Sequence, residues 1–176
     1  MKGAVFAGPG QLELRDIPTP HAGEGELVLK VGANTVCGTD GRILRGEKTA
    51  GIDLGVVLGH EISGFVVEVG HGVAGFSEGD LVSVMPTVPC LACYYCKAGA
   101  EHLCTRSTLF GYALDGGLAD YVRIPAQAME RGGVFRAESN VSAVEAALAE
   151  PLGCVLNGAA NYQPDAGDTV VVIGAG

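Results

Sequence analysis

Short runs of alternating apolar and polar residues, each closed by glycine or proline, fill most of this chain. Val5-Phe6 and Gln11-Leu12-Glu13-Leu14-Arg15-Asp16-Ile17 have the two-residue period of half-buried strands, joined by a Gly8-Pro9-Gly10 turn and stopped at Pro18 and Pro20. Glu26 to Val31 predicts a stronger strand that runs on through Gly32-Ala33-Asn34 to Cys37, which then sits just past the strand end. Residues 38–57 are polar and glycine-rich without a clean period, which predicts a short helical turn and a loop. Strands are predicted again at Ile62 to Val69, at Leu81-Val82-Ser83-Val84 and at Leu118 to Ile124, the last stopped by Pro125. A turn-rich return covers residues 70–76, and a cysteine-rich loop occupies residues 86–110.

The period changes near residue 140. Ser142-Ala143-Val144-Glu145 fits a capping box and Ala146 to Ala149 continue it as a helix. A residue before proline is pushed out of the helical region, so Glu150-Pro151 predicts a break before the helix resumes over residues 152–162. Thr169-Val170-Val171-Val172-Ile173 is an uninterrupted β-branched run of the kind buried on both faces of a parallel sheet. The order is therefore many short strands, then helices, then one strand of another type. No internal repeat or low-complexity segment is present.

Composition narrows the functional classes. At 176 residues and 48% hydrophobic content, the chain has the material for a real core. Its formal charge of −9 argues against a nucleic-acid partner, since such modules carry a basic face. The 28 glycines exceed the usual share of roughly 7% and are not periodic, in keeping with many tight turns. The first apolar run stops at Gly8-Pro9, too short for a signal sequence, and no later run has the length of a membrane span. The expectation is a soluble, cytoplasmic protein with no membrane partner.

Six cysteines stand at 37, 90, 93, 96, 104 and 154. Four of them form Cys90-x2-Cys93-x2-Cys96-x7-Cys104, a spacing that suits closed tetrahedral coordination of structural zinc. An iron–sulfur cluster is the alternative, although its common run ends on a gap of three residues instead of seven. Four unrelated buried cysteines would be the bland account of so dense a group. A second constellation joins distant residues: Cys37 within Cys37-Gly38-Thr39-Asp40, His60 beside Glu61, and Glu150 before Pro151. One thiolate, one imidazole and one carboxylate would leave a fourth position open, the stoichiometry of catalytic zinc. Asp40 could accept a proton from the imidazole and fix its tautomer, and Thr39 offers a hydroxyl able to pass a proton. His21, His71 and His102 lack partners at ligand spacing and are expected to be solvated.

The run Gly59-His60-Glu61-x2-Gly64-x5-Gly70-x2-Val73, together with Cys37-Gly38-Thr39-Asp40 and the four-cysteine loop, resembles the zinc-dependent medium-chain alcohol and polyol dehydrogenase superfamily. The resemblance covers essentially the whole chain, and it is to the N-terminal GroES-like catalytic domain, nearest the sorbitol and threonine dehydrogenase branch. It implies a mainly β fold with helices, a GroES-like partly open β-barrel over residues 1–150. Residues 151–176 would supply a connecting helix and the first strand of an incomplete nucleotide-binding Rossmann domain. It implies two zinc ions per chain: a catalytic one held by Cys37, His60 and Glu150, and a structural one held by Cys90, Cys93, Cys96 and Cys104. Glu61 would be a ligand in some states or a close neighbour, with Thr39 and Asp40 beside the chemistry. Cys154 is the rival to Glu150 and otherwise a small buried hydrophobe. Arg42 departs from the histidine many polyol and threonine dehydrogenases carry there, which leaves the substrate and its proton relay open.

Gly174-Ala175-Gly176, following the last β-branched run, resembles the opening of a dinucleotide fingerprint, so Gly174 and Gly176 are the candidate cofactor-binding residues. The implied activity is oxidation of an alcohol or polyol by hydride transfer to NAD or NADP, with no choice between the two. A homo-oligomer would be in keeping with the family. The isolated 176-residue chain is expected to have negligible activity by itself. The competing class is a zinc-stabilised structural or binding module that performs no chemistry.

Overall fold

The computed structural model describes residues 1–174. Strands β1 (Lys2–Gly8) and β2 (Gln11–Asp16) form an antiparallel hairpin. After β3 (Leu27–Thr35) come helix α1 (Gly38–Leu44), β4 (Glu61–Val69) and β5 (Leu81–Val84). The cysteine loop carries β6 (Thr87–Val88), α2 (Tyr94–Lys97), a 3-10 turn at Glu101–Leu103 and β7 (Thr108–Leu109). The chain continues through β8 (Tyr121–Ile124), α3 (Ala126–Glu130), β9 (Val134–Arg136), α4 (Ala143–Ala147) and α5 (Ala149–Tyr162). The fold is mainly sheet, as expected. Its centre is a five-stranded antiparallel sheet in the order β8-β3-β4-β5-β9, with β1–β2 and β6–β7 as separate ribbons.

The period-two pattern explains the core. Leu27, Leu29, Ile62, Val66, Val82, Val84, Val122 and Ile124 point from the large sheet into one buried cluster closed by Phe110. A second cluster of Phe6, Ile43, Val56 and Leu58 lies under α1. Strand β4 alternates only in its second half; Glu61, Ile62, Ser63 and Gly64 are all buried. Helix α4 covers this end: Ser63 Oγ donates to the carbonyl of Ala143 at 2.5 Å. The Ser142 capping box forms as expected, with Glu145 N–H donating to Ser142 Oγ and Ser142 N–H donating to the Glu145 carboxylate.

Two details differ from the sequence-based expectation, the helical break and the last β-branched run. The helical break falls at Leu148, not at Glu150, and α5 runs unbroken through Glu150-Pro151. Pro151 stands in the first turn of α5, where a backbone N–H has no intrahelical acceptor and its loss costs nothing. Strand β3 ends at Thr35, so Cys37 sits just past the strand end as expected, and there it caps α1. Residues 169–173 pair with no strand among the described residues. Val170 to Ile173 are 59–95% exposed, because a β-branched run becomes a strand only when a neighbour takes its backbone hydrogen bonds. No helix among the described residues is long and apolar enough to cross a membrane.

Candidate metal sites

The turn from β3 into α1 delivers Cys37, and the start of β4 delivers His60 and Glu61 across the same end of the sheet. One ligand atom from each of these three residues lies within 4.8 Å of the others. Local geometry fixes the arrangement. Cys37 has an extended backbone, and its N–H donates to Asp40 Oδ2 at 2.9 Å, which ties the cysteine to the first turn of α1. Gly59 adopts φ +95°, a conformation costly for other residues, and so turns the chain sharply into His60. Gly116 packs on that turn so closely that an added Cβ would stand 1.9 Å from the Gly59 carbonyl oxygen.

Asp40 and His60 are both buried, with Oδ1 and Nδ1 3.3 Å apart. That distance suits a charge pair, and neither atom has a partner elsewhere among the described residues. Contact with the Asp40 carboxylate raises the His60 pKa to about 9, opposed by burial and reinforced by Cys37. His60 also meets the edge of the Tyr112 ring at 6.1 Å, and Lys48 Nζ sits 5.3 Å from that ring's centre.

Glu150 is not a member of the compact group. It stands in the first turn of α5, where its carboxyl pKa is raised by burial, lowered by His60 and raised by Glu61, so it is an electrostatic neighbour of the site. Cys154 lies one turn on, its Sγ 3.8 Å from Glu150 Oε1, and its thiol is pushed up by burial and by that carboxylate. The expectation of a buried Cys154 does not hold, since the residue is exposed. A cleft of about 610 Å³ between α5 and the cysteine loop has Glu150, Cys154, Met85 and Arg131 in its wall, but neither Cys37 nor His60. Glu150 thus borders the cleft on one side and the buried cluster on the other. Thr39 is half-buried on α1 and Arg42 is exposed on the same helix.

The second group is Cys90, Cys93, Cys96 and Cys104, whose sulfurs all lie within 4.8 Å of one another. Cys93 Sγ is 3.4 Å from Cys96 Sγ and 3.9 Å from Cys104 Sγ. These separations bracket the edge of about 3.8 Å that a tetrahedron of zinc–sulfur bonds requires, and they are far too long for disulfides. Backbone N–H groups of Cys90 and Arg106 donate to Cys104 Sγ. The Ala92 N–H draws Cys90 down to about 6, while burial pushes Cys96 up to about 12. Four thiols so placed cannot all ionise without a cation among them.

Of the candidate cofactor-binding glycines, Gly174 has φ +80° and no atom of the described residues within 4 Å of where a Cβ would stand, and Gly176 lies outside the described residues. Thr35 and Tyr112 touch the site and went unnoticed in the sequence, because neither belongs to a spaced motif. Only strand register brings Thr35 opposite Glu61.

Residues 23–131 match the family described as the alcohol dehydrogenase GroES-like domain. The chain belongs to that family. This GroES-like domain is 39% identical over 170 residues to L-threonine 3-dehydrogenase of Pyrococcus furiosus, covering 93% of the chain and 46% of the relative. It is 38% identical over 185 residues to zinc-type alcohol dehydrogenase B of Aspergillus flavus, covering 100% and 42%. Galactitol-1-phosphate dehydrogenase from Escherichia coli superposes with a TM-score of 0.82 at 27% identity, over 93% of this chain and 45% of that one. The chain spans about half the length of the curated relatives it matches.

Proposed function

We propose that this chain is the catalytic domain of a zinc-dependent dehydrogenase that oxidises an alcohol or polyol with NAD or NADP as hydride acceptor. The observation that carries this reading is the convergence of Cys37, His60 and Glu61 at one buried point, apart from the four-cysteine group. A thiolate, an imidazole and a carboxylate suit zinc with a position left open, whereas four thiolates suit a closed structural site. His60 Nδ1 facing Asp40 Oδ1 at 3.3 Å supports the fit, because a carboxylate on one ring nitrogen fixes the tautomer and leaves the other nitrogen for a metal. When bound, zinc supplies Lewis acidity at the substrate oxygen. Cys37 and His60 would hold it, Asp40 would orient the imidazole, and Thr39 would pass the hydroxyl proton toward solvent. Glu150 would complete the set from α5, with residues 1–150 as the metal-binding unit and the stretch from 151 leading toward the cofactor. The reading extends to a cytoplasmic homo-oligomer.

Metal analysis tests the reading. The purified chain should hold two zinc ions, with Cys90→Ser losing one and Cys37→Ala the other. A single zinc, lost on Cys90→Ser and indifferent to Cys37→Ala, would overturn the catalytic site. Glu150→Ala should deplete the Cys37-dependent zinc more than Cys154→Ala does; equal or reversed losses would favour the thiol.

A further inference from the structure

Glu61 presents a problem that the three-residue group does not solve. Its residue is only 6% exposed, and no lysine or arginine pairs with it among the described residues. A buried carboxylate without a cation is costly unless donors or a metal compensate. The structure provides one donor from an unexpected direction. Thr35, the last residue of β3, is the register partner of Glu61, and its Oγ1 donates a hydrogen bond to Glu61 Oε2. The β3–β4 register shifts between Val31 and Ala33, so a bulge a few residues earlier sets which side chain of β3 meets Glu61. Threonine suits the position because its β-branched side chain restricts χ1, and the hydroxyl is held in place with little freedom to lose.

We propose that Thr35 is a positioning residue that holds the Glu61 carboxylate within reach of a metal ion bound by Cys37 and His60. This inference rests on the reading of Cys37 and His60 as metal ligands. Thr35 itself touches neither metal nor substrate in this arrangement; it acts by restricting where a buried carboxylate can turn. Partners of this kind, one bond removed from the ion, carry roughly 10–100-fold in metal affinity in well-studied sites. Valine in place of Thr35 keeps the branched shape and removes only the donor. Serine keeps the donor on a freer stem.

The test is a Co²⁺ titration of the chain with the four-cysteine group already filled by zinc, followed through the thiolate-to-cobalt absorption band. The unsubstituted chain should take up one Co²⁺ whose band disappears in Cys37→Ala. Thr35→Val should weaken its binding by about 10-fold, and Thr35→Ser should return it to within about 3-fold of the original. In a Glu61→Ala background, Thr35→Val should change affinity by less than about 2-fold, because its effect passes through the carboxylate. Absence of any Cys37-dependent Co²⁺ would overturn the metal-site reading and this inference with it. Uptake of Co²⁺ that is insensitive to Thr35→Val would overturn this inference alone, as would an equal loss in the Glu61→Ala background. Melting temperature measured on each variant separates the effect from general destabilisation, which Thr35→Ser would not selectively rescue.

Discussion

Removing the charge beside His60 should return its imidazole to ordinary behaviour. In the metal-free chain, Nδ1 of His60 stands 3.3 Å from Oδ1 of Asp40, with both side chains buried. Coulomb's law at an effective dielectric of 20 gives about 5 kcal/mol of attraction at that distance. Burial of the imidazolium takes part of this back. The rise from 6.5 to about 9 corresponds to a net of about 3 kcal/mol, consistent with that opposition. A histidine whose pKa is raised by folding contributes stability that is fully present below the unfolded value of 6.5. The contribution is lost as pH rises toward 9. Asp40→Asn preserves shape and can still accept from the Cys37 N–H, yet removes the charge. The imidazole Cε1 proton of His60, assigned by comparison with a His60 variant, should titrate near 9 in the original chain and well below that in Asp40→Asn. The stability gap between the two proteins in urea should shrink by about 2–3 kcal/mol between pH 6 and pH 9.5. Taking the difference cancels the thiols of the cysteine loop, which titrate in both proteins. A His60 pKa near 6.5 in the original chain, or one unmoved by Asp40→Asn, would refute this account of the pair.

Gly116→Ala should cost about 2–3 kcal/mol in urea unfolding, because its Cβ would meet the Gly59 and Leu58 carbonyl oxygens at 1.9 and 2.6 Å and backbone must move. A loss under about 0.5 kcal/mol would show that the turn before His60 can yield. Leu91 occupies φ 54° between Cys90 and Cys93, so Leu91→Gly should stabilise the metal-free chain. Relief of about 1–2 kcal/mol of left-handed strain, less about 0.5–1 kcal/mol of added chain entropy, leaves a gain of about 0.5–1 kcal/mol. Destabilisation by more than about 1 kcal/mol would mean that Leu91 packing dominates. Ser142→Ala removes the α4 cap and should lower stability by about 1 kcal/mol, which denaturant midpoints at constant slope would register.

The four-cysteine group was legible because its ligands sit on one loop, and spacing within a loop is itself a distance constraint. The strands β1 to β5 were legible for a similar reason: side chains alternate over two residues, so local pattern carries burial. The glycines around His60 also stood out in the sequence, but the demand on Gly59 comes from Gly116, fifty-seven positions away. Strand β9 was missed because three residues form a strand only through pairing with β5. Helix α3, starting just after Pro125, was missed because five residues are too few for a period to emerge. The break expected at Glu150 followed the general effect of proline on its predecessor. The structure instead starts α5 at Ala149, where the first turn tolerates proline. Sequence therefore determined residue types and local pattern: the cysteine loop, the Ser142 cap, the glycines flanking His60. Tertiary structure alone decided which carboxylate stands beside them. Glu61 enters the compact group and Glu150 borders it, because cross-strand register and helix placement depend on contacts between residues far apart in the chain.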